Sequence, residues 1–383
     1  MFELKRLNED NYDELINLLN SVFARKNNQN TDFEKDLPKM FVKDEQHMAR
    51  HLGVFDDGKL VSCVGIYPMP TVIGDNELLF ATVGNVATHW DYTGKGYMNM
   101  LMTEAMKEIE KMGVDVSRLG GLRQRYNRFG YDSCGSTYSF SLTKNNNEKS
   151  FNYEDDYTFV KIDKEDIDSI AFCECLYNNS GIRIKRDAYD GYQGFYAAMT
   201  TWQNIPYLVK DTKGNNVGYI CVKGNSVGEV YGLNPDVTVK IISLWQKKNI
   251  ETVSFSVAPY DIELARIFTS VCENMRIGFT CHFKVMNFEK ITNALLKLKS
   301  KYVKMVNGEF VLKIEDYGKI KLFVHGDNVG CVRVDEKESL TLSRFDAQRF
   351  LFGPFPPVSA GNADGVVSAW LPLPLSWNLQ DRG

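Results

Sequence analysis

The run Tyr92-Thr93-Gly94-Lys95-Gly96-Tyr97-Met98 joins an apolar, strand-like stretch at residues 83–88 to a stretch with helical spacing. The chemistry such a junction can do is anion binding. The first turn of a helix leaves backbone N–H groups unpaired and carries a partial positive charge. Glycines at 94 and 96 let the chain pass close to a phosphate, and Lys95 adds a mobile positive charge. The spacing is neither the GxGxxG of dinucleotide folds nor the GxxxxGK[ST] of a P-loop. A plain strand-to-helix turn also uses glycine, so the loop by itself leaves both readings open.

Other reactive side chains are dispersed. The cysteines at 63, 134, 173, 175, 221, 272, 281 and 331 lie mostly in apolar runs. No CxxC pair occurs, and Cys173 and Cys175 stand too close for the usual zinc spacing. They read as reduced, buried thiols of a cytoplasmic protein. The five histidines are scattered, so no metal is expected. His89, just after the strand, reads as structural. Phe23, Trp90 and Trp202 could present ring faces to a cationic amine; as single aromatics they are more often core residues.

The elements that must position the loop can be read around it. Residues 11–26, NYDELINLLNSVFARK, place Leu15, Leu18, Leu19 and Phe23 on one helical face. Strands at 51–55 and 60–67 flank Asp56-Asp57-Gly58-Lys59, a hairpin turn. A turn at Gly74-Asp75-Asn76 leads into a strand at 78–88. Met98, Leu101, Met102, Ala105, Ile109 and Met112 recur at helical spacing, with Gly113 where a C-cap belongs. A strand at 114–119 and a short helix at 124–129 follow.

Residues 144–156, KNNNEKSFNYEDD, are polar and nearly free of aliphatics, as in a linker. The next segment repeats the first in weakened form: a helix at 165–177, strands at 207–209 and 217–222, then VGEVYGL at 227–233 before a helix at 237–245. Where the first copy has Thr93-Gly94-Lys95-Gly96, the second has Asn234-Pro235-Asp236. The tight glycine turn is absent and an acidic residue stands where an anion would sit, so no nucleotide is expected there. A strand at 253–257 and a helix after Asp261 complete this copy. A last segment begins with a helix at 291–298. Strands at 309–314, 319–324 and 329–334 and a helix at 344–351 follow. The closing WLPLPLSWNLQDRG is too apolar for a free tail. The reading is α/β with mixed sheets in three units: 1–143, 144–287 and 288–383.

Composition narrows the function. The chain has 383 residues, 44% hydrophobic and 25% charged, with a net charge of −4. That is a soluble globular profile spanning more than one core. No run approaches the ~18 apolar residues of a membrane span, and the first residues lack the apolar core of a signal peptide. No dense Lys/Arg block calls for nucleic acid or an anionic membrane.

GNVATHWDYTGKGYMNMLM resembles the acetyl-CoA-binding core of the GNAT acetyltransferase superfamily, [Q/R]-x-x-G-x-[G/A]. Thr93 falls on the first family position, Gly96 on the glycine and Met98 on the last; Thr93 and Met98 depart from the pattern. GLRQRYNRFGY, from Gly121 to Tyr131, resembles the second half of that fold. An intact GNAT domain, a degenerate one and a C-terminal sterol-carrier-like domain together resemble the Eis ("enhanced intracellular survival") family. The resemblance is specific over the first 140 residues or so and architectural beyond them. It implies direct acetyl transfer from acetyl-CoA to a primary amine: an aminoglycoside, a polyamine-like molecule or a lysine side chain. The strand edge at Val86, Ala87 and Thr88 would pair with the pantetheine arm. Residues Thr93 to Met98 would hold the pyrophosphate. Tyr126 would be the general acid, since a phenol with a pKa near 10 is protonated at neutral pH. The carboxylate of Gly383 would be the base. Glu45 and His47 lie on a segment that often borders the substrate in this fold. A homo-oligomer is expected on the same ground. The other reading is a carrier of a lipid or hydrophobic ligand, built on the last unit, with a vestigial CoA-binding domain.

Overall fold

The computed structural model describes residues 2–186, 191–249, 251–361, 363 and 365–382. The first stretch contains β1 (Phe2–Arg6), α1 (Tyr12–Asn27), α2 (Phe33–Asp36), α3 (Glu45–Met48), β2 (His51–Asp56), β3 (Lys59–Ile73) and β4 (Asn76–Thr88). It continues through α4 (Tyr97–Lys111), β5 (Val116–Leu119), α5 (Arg123–Tyr126), β6 (Asp132–Cys134) and β7 (Thr137–Leu142). The middle stretch holds α6 (Lys144–Ser150), β8 (Thr158–Lys161), α7 (Ile167–Tyr177), β9 (Ile182–Ile184), α8 (Gly191–Met199), β10 (Ile205–Lys210) and β11 (Asn216–Lys223). It ends with β12 (Ser226–Gly232), α9 (Pro235–Asn249), β13 (Val253–Val257), α10 (Ile262–Val271), β14 (Met275–Gly278) and β15 (Cys281–Val285). The last stretch holds α11 (Phe288–Ser300), β16 (Gly308–Ile314), β17 (Gly318–His325), β18 (Asn328–Arg333), β19 (Leu340–Leu342), α12 (Arg344–Phe352) and α13 (Gly365–Trp370).

The fold is α/β with mixed sheets, as the sequence indicates. One sheet runs β1-β2-β3-β4-β5-β15-β6, with β9 alongside β3; a second runs β14-β7-β13-β12-β11-β10-β8; a third runs β18-β17-β16-β19. The first two exchange strands. After β6 the chain leaves the first sheet, and β7 pairs with β13 and β14 in the second. β15 returns and inserts between β5 and β6. This strand exchange ties the two sheets together across the expected boundary at residue 143.

Local sequence explains the elements nearest the glycine turn. α1 buries Leu15, Leu18 and Leu19 and stops at Asn28, which takes the left-handed conformation. α4 buries Leu101, Met102, Ala105 and Ile109, an apolar stripe at helical spacing. Each such side chain contributes about 1.5–3 kcal/mol when fully buried. Of the polar residues 144–156, the first seven form α6 and the rest carry no regular element. Thr143 caps α6, and the buried Asn147 bonds to the carbonyl oxygen of Ser243 and to Gln246 Oε1. The cysteines are free, with Cys175 exposed and Cys281 half-buried. Among the described residues no helix is long and apolar enough to cross a membrane, and no cluster of three or more His, Cys, Asp or Glu could hold a metal ion.

The closing segment is packed, not free. Trp370, Leu373 and Leu375 are fully buried. Trp377 stacks on Phe80 of β4, ring centroids 5.5 Å apart. Asp381 reaches a buried arginine of the middle stretch, Arg186, whose Nε donates to its Oδ1 at 2.8 Å.

Candidate active site

β4 and β5 run parallel, and their pairing stops early. The ladder goes from Phe80↔Val116 to Val83↔Leu119, whereas β4 continues to Thr88. Beyond Val83 the two strands part. Asn85, at φ 54°, occupies a bulge against β3, between the pairs Gly65↔Gly84 and Cys63↔Ala87. Its Nδ2 donates to the Tyr67 hydroxyl at 2.5 Å, and that hydroxyl lies 2.8 Å from His51 Nε2. Burial pushes His51 down to about 4, so the imidazole is neutral and Nε2 accepts from the phenol. An open edge of this kind can pair with an extended ligand arm.

The glycine turn stands next to this gap. Gly94 and Gly96 have φ of 84° and 82°, and Gly96 is the N-cap of α4 without any side-chain cap. The first-turn N–H groups, those of Tyr97, Met98 and Asn99, are thus left for a ligand or water. A groove of about 530 Å³ opens here, lined by Met98, Leu122, Arg123, Gln124, Arg125 and Arg128. Arg123 is committed to the buried carboxylate of Asp132. Arg125 and Arg128 are exposed cations, and Arg128 bonds to Asn99 Oδ1 on the first turn. Unpaired N–H groups, room above both glycines and two cations fit a diphosphate.

Not every residue expected at the phosphates points there. Lys95 Nζ is 3.1 Å from Asp56 Oδ2 and 4.5 Å above the Tyr92 ring. The Tyr97 hydroxyl donates to the same carboxylate at 3.0 Å, and its ring is buried. Thr93 spends its hydroxyl on the Trp90 carbonyl, 2.8 Å away. Of the turn's residues, Met98 lines the groove. Thr88 Oγ1 lies 2.7 Å from Ser62 Oγ, and Ala87 is buried against Cys63. The arginines of α5 and its following turn were not singled out in the sequence; their recurrence at 123, 125 and 128 beside the loop was the available signal.

Behind the gap lies a cavity of about 520 Å³, lined in part by Asn85, Val86, Arg118, Tyr126, Trp202 and Arg382. Phe23 and Trp202 both reach it. Trp90 instead lies against His89, centroids 3.8 Å apart, and under the Arg25 guanidinium at 4.6 Å. Tyr126 is 5% exposed. Gly121, at φ 126°, makes room for its ring: a Cβ there would stand 2.9 Å from Tyr126 Cε2. Burial pushes the Tyr126 phenol up, and the Arg125 guanidinium pulls it partly back. Asp36 on α2 also lines the cavity, its Oδ1 accepting from Gln203 Nε2 at 2.6 Å. His47 is buried and bonded to Asp44 through Nδ1, and Glu45 accepts from the Glu9 backbone. Gly383 lies outside the described residues, and Arg382 before it lines the cavity.

The second sheet has a matching gap of different character. β12 and β13 share the single pair Ser226↔Ser254. At the start of α9, Asn234 Oδ1 accepts from the Val237 N–H at 3.0 Å, so a side chain occupies the place that the first copy leaves open. Trp377, Asn378 and Leu379 form part of the wall of this second cleft.

Gly96→Val is the direct test of the turn. No atom lies within 4 Å of a Cβ placed there, so the cost is backbone strain of about 1–3 kcal/mol at positive φ plus a side chain standing where the phosphate would approach. Acetyl-CoA affinity should fall by about tenfold or more while the circular dichroism spectrum stays unchanged. Unaltered affinity by calorimetry would place the phosphate elsewhere.

No curated protein matches the chain. Among solved structures, a GCN5-related N-acetyltransferase from Anabaena variabilis superposes with a TM-score of 0.67 at 15% identity, over 99% of this chain and 98% of that one. Eis1 from Mycobacterium abscessus gives 0.64 at 14% identity, over 99% and 98%. A probable N-acyltransferase from Enterococcus faecalis gives 0.61 at 14% identity, over 90% and 87%. Residues 3–134 match the family model of the acetyltransferase (GNAT) domain, so the segment that holds the open β4 edge, the glycine turn and Tyr126 has the GNAT acetyltransferase fold.

Proposed function

We propose that the protein is an N-acetyltransferase that moves acetyl from acetyl-CoA to a primary amine by direct attack. The carrying observation is the open β4 edge beside an uncapped helix N-terminus, with Tyr126 in the cavity behind. Acetyl-CoA supplies the activated acyl group. In this reading the edge at Val86–Thr88 aligns the pantetheine arm, and the N–H groups from Gly94 to Met98, with Arg125 and Arg128, hold the diphosphate; the Thr93 N–H is already given to the Trp90 carbonyl. Tyr126 gives its proton to the leaving thiolate. The carboxylate of Gly383 takes the proton of the amine, and its neighbour Arg382 supports this by lining the cavity. The division into an acetyltransferase unit, a degenerate copy and a sterol-carrier-like unit, an Eis-like affiliation, a cytoplasmic location and a homo-oligomer belong to the same proposal.

The carrier alternative receives less support. The side chains of Leu295, Phe310, Leu322, Phe350 and Trp370 fill the space beneath the third sheet, where a lipid would need room. The test is release of free thiol from acetyl-CoA in the presence of a panel of primary amines. Amine-dependent release is expected, with strong loss when the chain is extended beyond Gly383. Absence of release with every amine sinks the enzyme reading; full activity in the extended form removes Gly383 as base.

A further inference from the structure

The cavity holds two guanidiniums, Arg118 and Arg382, that no carboxylate among the described residues pairs with. Arg118 is 2% exposed, and its Nε is buried without a hydrogen-bond partner. Its Nη1 reaches the Thr82 hydroxyl at 3.4 Å, and its guanidinium lies 5.5 Å from the centre of the Trp377 ring. Arg382 enters the same cavity from the closing segment. Its Nη2 donates to the Thr280 carbonyl at 3.0 Å, and its Nε is also buried and unpartnered. Burial first, and then the nearby charge of Arg118, hold Arg382 below the usual arginine range. Asp36 is the carboxylate among the described residues of the lining. The contrast with Arg186 is direct: it too is buried, yet carboxylates of Glu229 and Asp381 meet it at 2.6 and 2.8 Å.

A guanidinium removed from water without a counter-charge is unfavourable until an anion completes it. Its planar fork matches a carboxylate through two parallel bonds. Strand geometry says which side this anion occupies. Successive residues of a strand face opposite sides. Ala81, Val83 and Leu119 pack with α4, whereas Phe80, Val116 and Trp377 belong to the core on the other face. Arg118 pairs with Thr82 and so shares that other face, away from the phosphate groove. Asp36 bonds to Gln203, and among the described residues no carboxylate pairs with Arg118 or Arg382. An anion brought by a substrate would complete both guanidiniums.

We propose that the acceptor is a small amino acid-like molecule, whose carboxylate is seated by Arg118 and Arg382 while its amine faces the acyl group. This rests on the acetyl-transfer reading above. It departs from polyamines and aminoglycosides, which lack an anionic group. The cavity of about 520 Å³ suits a ligand of this size.

The test uses matched pairs that differ by the carboxylate alone: lysine and cadaverine, phenylalanine and phenethylamine, histidine and histamine. The readout is thiol release from acetyl-CoA by the full chain. The amino acid should exceed its decarboxylated partner in kcat/KM by about ten- to a hundredfold, the range of a charge-assisted hydrogen bond. In Arg118→Gln the ratio should collapse towards one, mainly through KM. Arg382→Gln, at a half-buried site, gives the same readout if the buried Arg118 variant does not fold. Equal kcat/KM for both members of every reacting pair overturns the inference and leaves the enzyme reading intact. No release with either member of any pair overturns the enzyme reading and the inference with it. Faster transfer to cadaverine from succinyl-CoA than from acetyl-CoA would assign the carboxylate to the acyl group and overturn the acceptor assignment.

Discussion

Tyr126→Phe is expected to lower kcat by about 10²–10⁴-fold, the span of a lost general acid, with acetyl-CoA affinity close to that of the parent. The substitution removes one oxygen and keeps the ring that packs under Gly121, so the fold should persist. The phenol lines the cavity at the gap between β4 and β5, where a departing thiolate would need a proton. Burial raises its folded pKa above the ordinary value of 10.0. It is therefore protonated at neutral pH and able to donate. The sign for stability follows. A raised folded value gives a contribution that is complete below the unfolded value and is lost as pH rises through the folded one. An alkaline limb belonging to Tyr126 should thus begin above pH ~10 and vanish in the phenylalanine variant. Near-normal turnover in that variant would make Tyr126 a packing residue and leave water to protonate the thiolate.

The first 140 residues or so show how far local pattern reaches. The turn at Asp56–Lys59, the apolar stripe of α4 and the glycines at 94 and 96 are local signals, and each lies where its spacing places it. What local pattern does not carry is pairing. Residues 137–142 alternate as a strand should, but period-two alternation specifies a strand and not its sheet. The exchange of β7 and β15 is thus invisible until distant partners are known. α6 escaped for another reason: its buried side chains are Asn146 and Asn147, whose partners Glu273, Ser243 and Gln246 lie about a hundred residues away. Arg118 lies in a short strand, Val-Ser-Arg-Leu, that carries no local motif, and its unpartnered Nε is a property of the assembled cavity alone. Of the closing segment, the apolar run at 370–377 was legible as buried. The triplet Asp381-Arg382-Gly383 gives no such sign, because its anchor, Arg186, stands 195 positions away.

That anchor should be the most sensitive point for stability. Asp381 is 3% exposed. Its Oδ2 accepts from the Tyr177 hydroxyl at 3.0 Å and from Arg186 Nη2 at 3.1 Å. Lys39 adds a bond to the neighbouring Gln380 carbonyl, and burial pushes this lysine down to about 7 against the pull of Asp381. Asp381→Ala leaves Glu229 as the carboxylate on Arg186 among the described residues and removes a counter-charge from Lys39. Breaking a buried pair by deleting one partner costs about 3–5 kcal/mol. The pH response has a definite sign. Burial alone would raise the Asp381 carboxyl, but the charges of Arg186 and Lys39 prevail and its folded pKa lies below the ordinary 3.8. Its stabilisation is then complete above about pH 4 and is lost as pH falls through the folded value. The parent should lose stability steeply below pH ~4, and the alanine variant should lack that component while being weaker at neutral pH. Arg382 follows Asp381 directly, so freeing the segment withdraws a cation from the cavity, and kcat/KM for the amine should fall with acetyl-CoA affinity kept. Denaturant unfolding at several pH values, alongside calorimetry with acetyl-CoA, separates these effects. A variant with parental stability and an unchanged acid limb would show that the closing segment is held by its tryptophans and not by this ion pair.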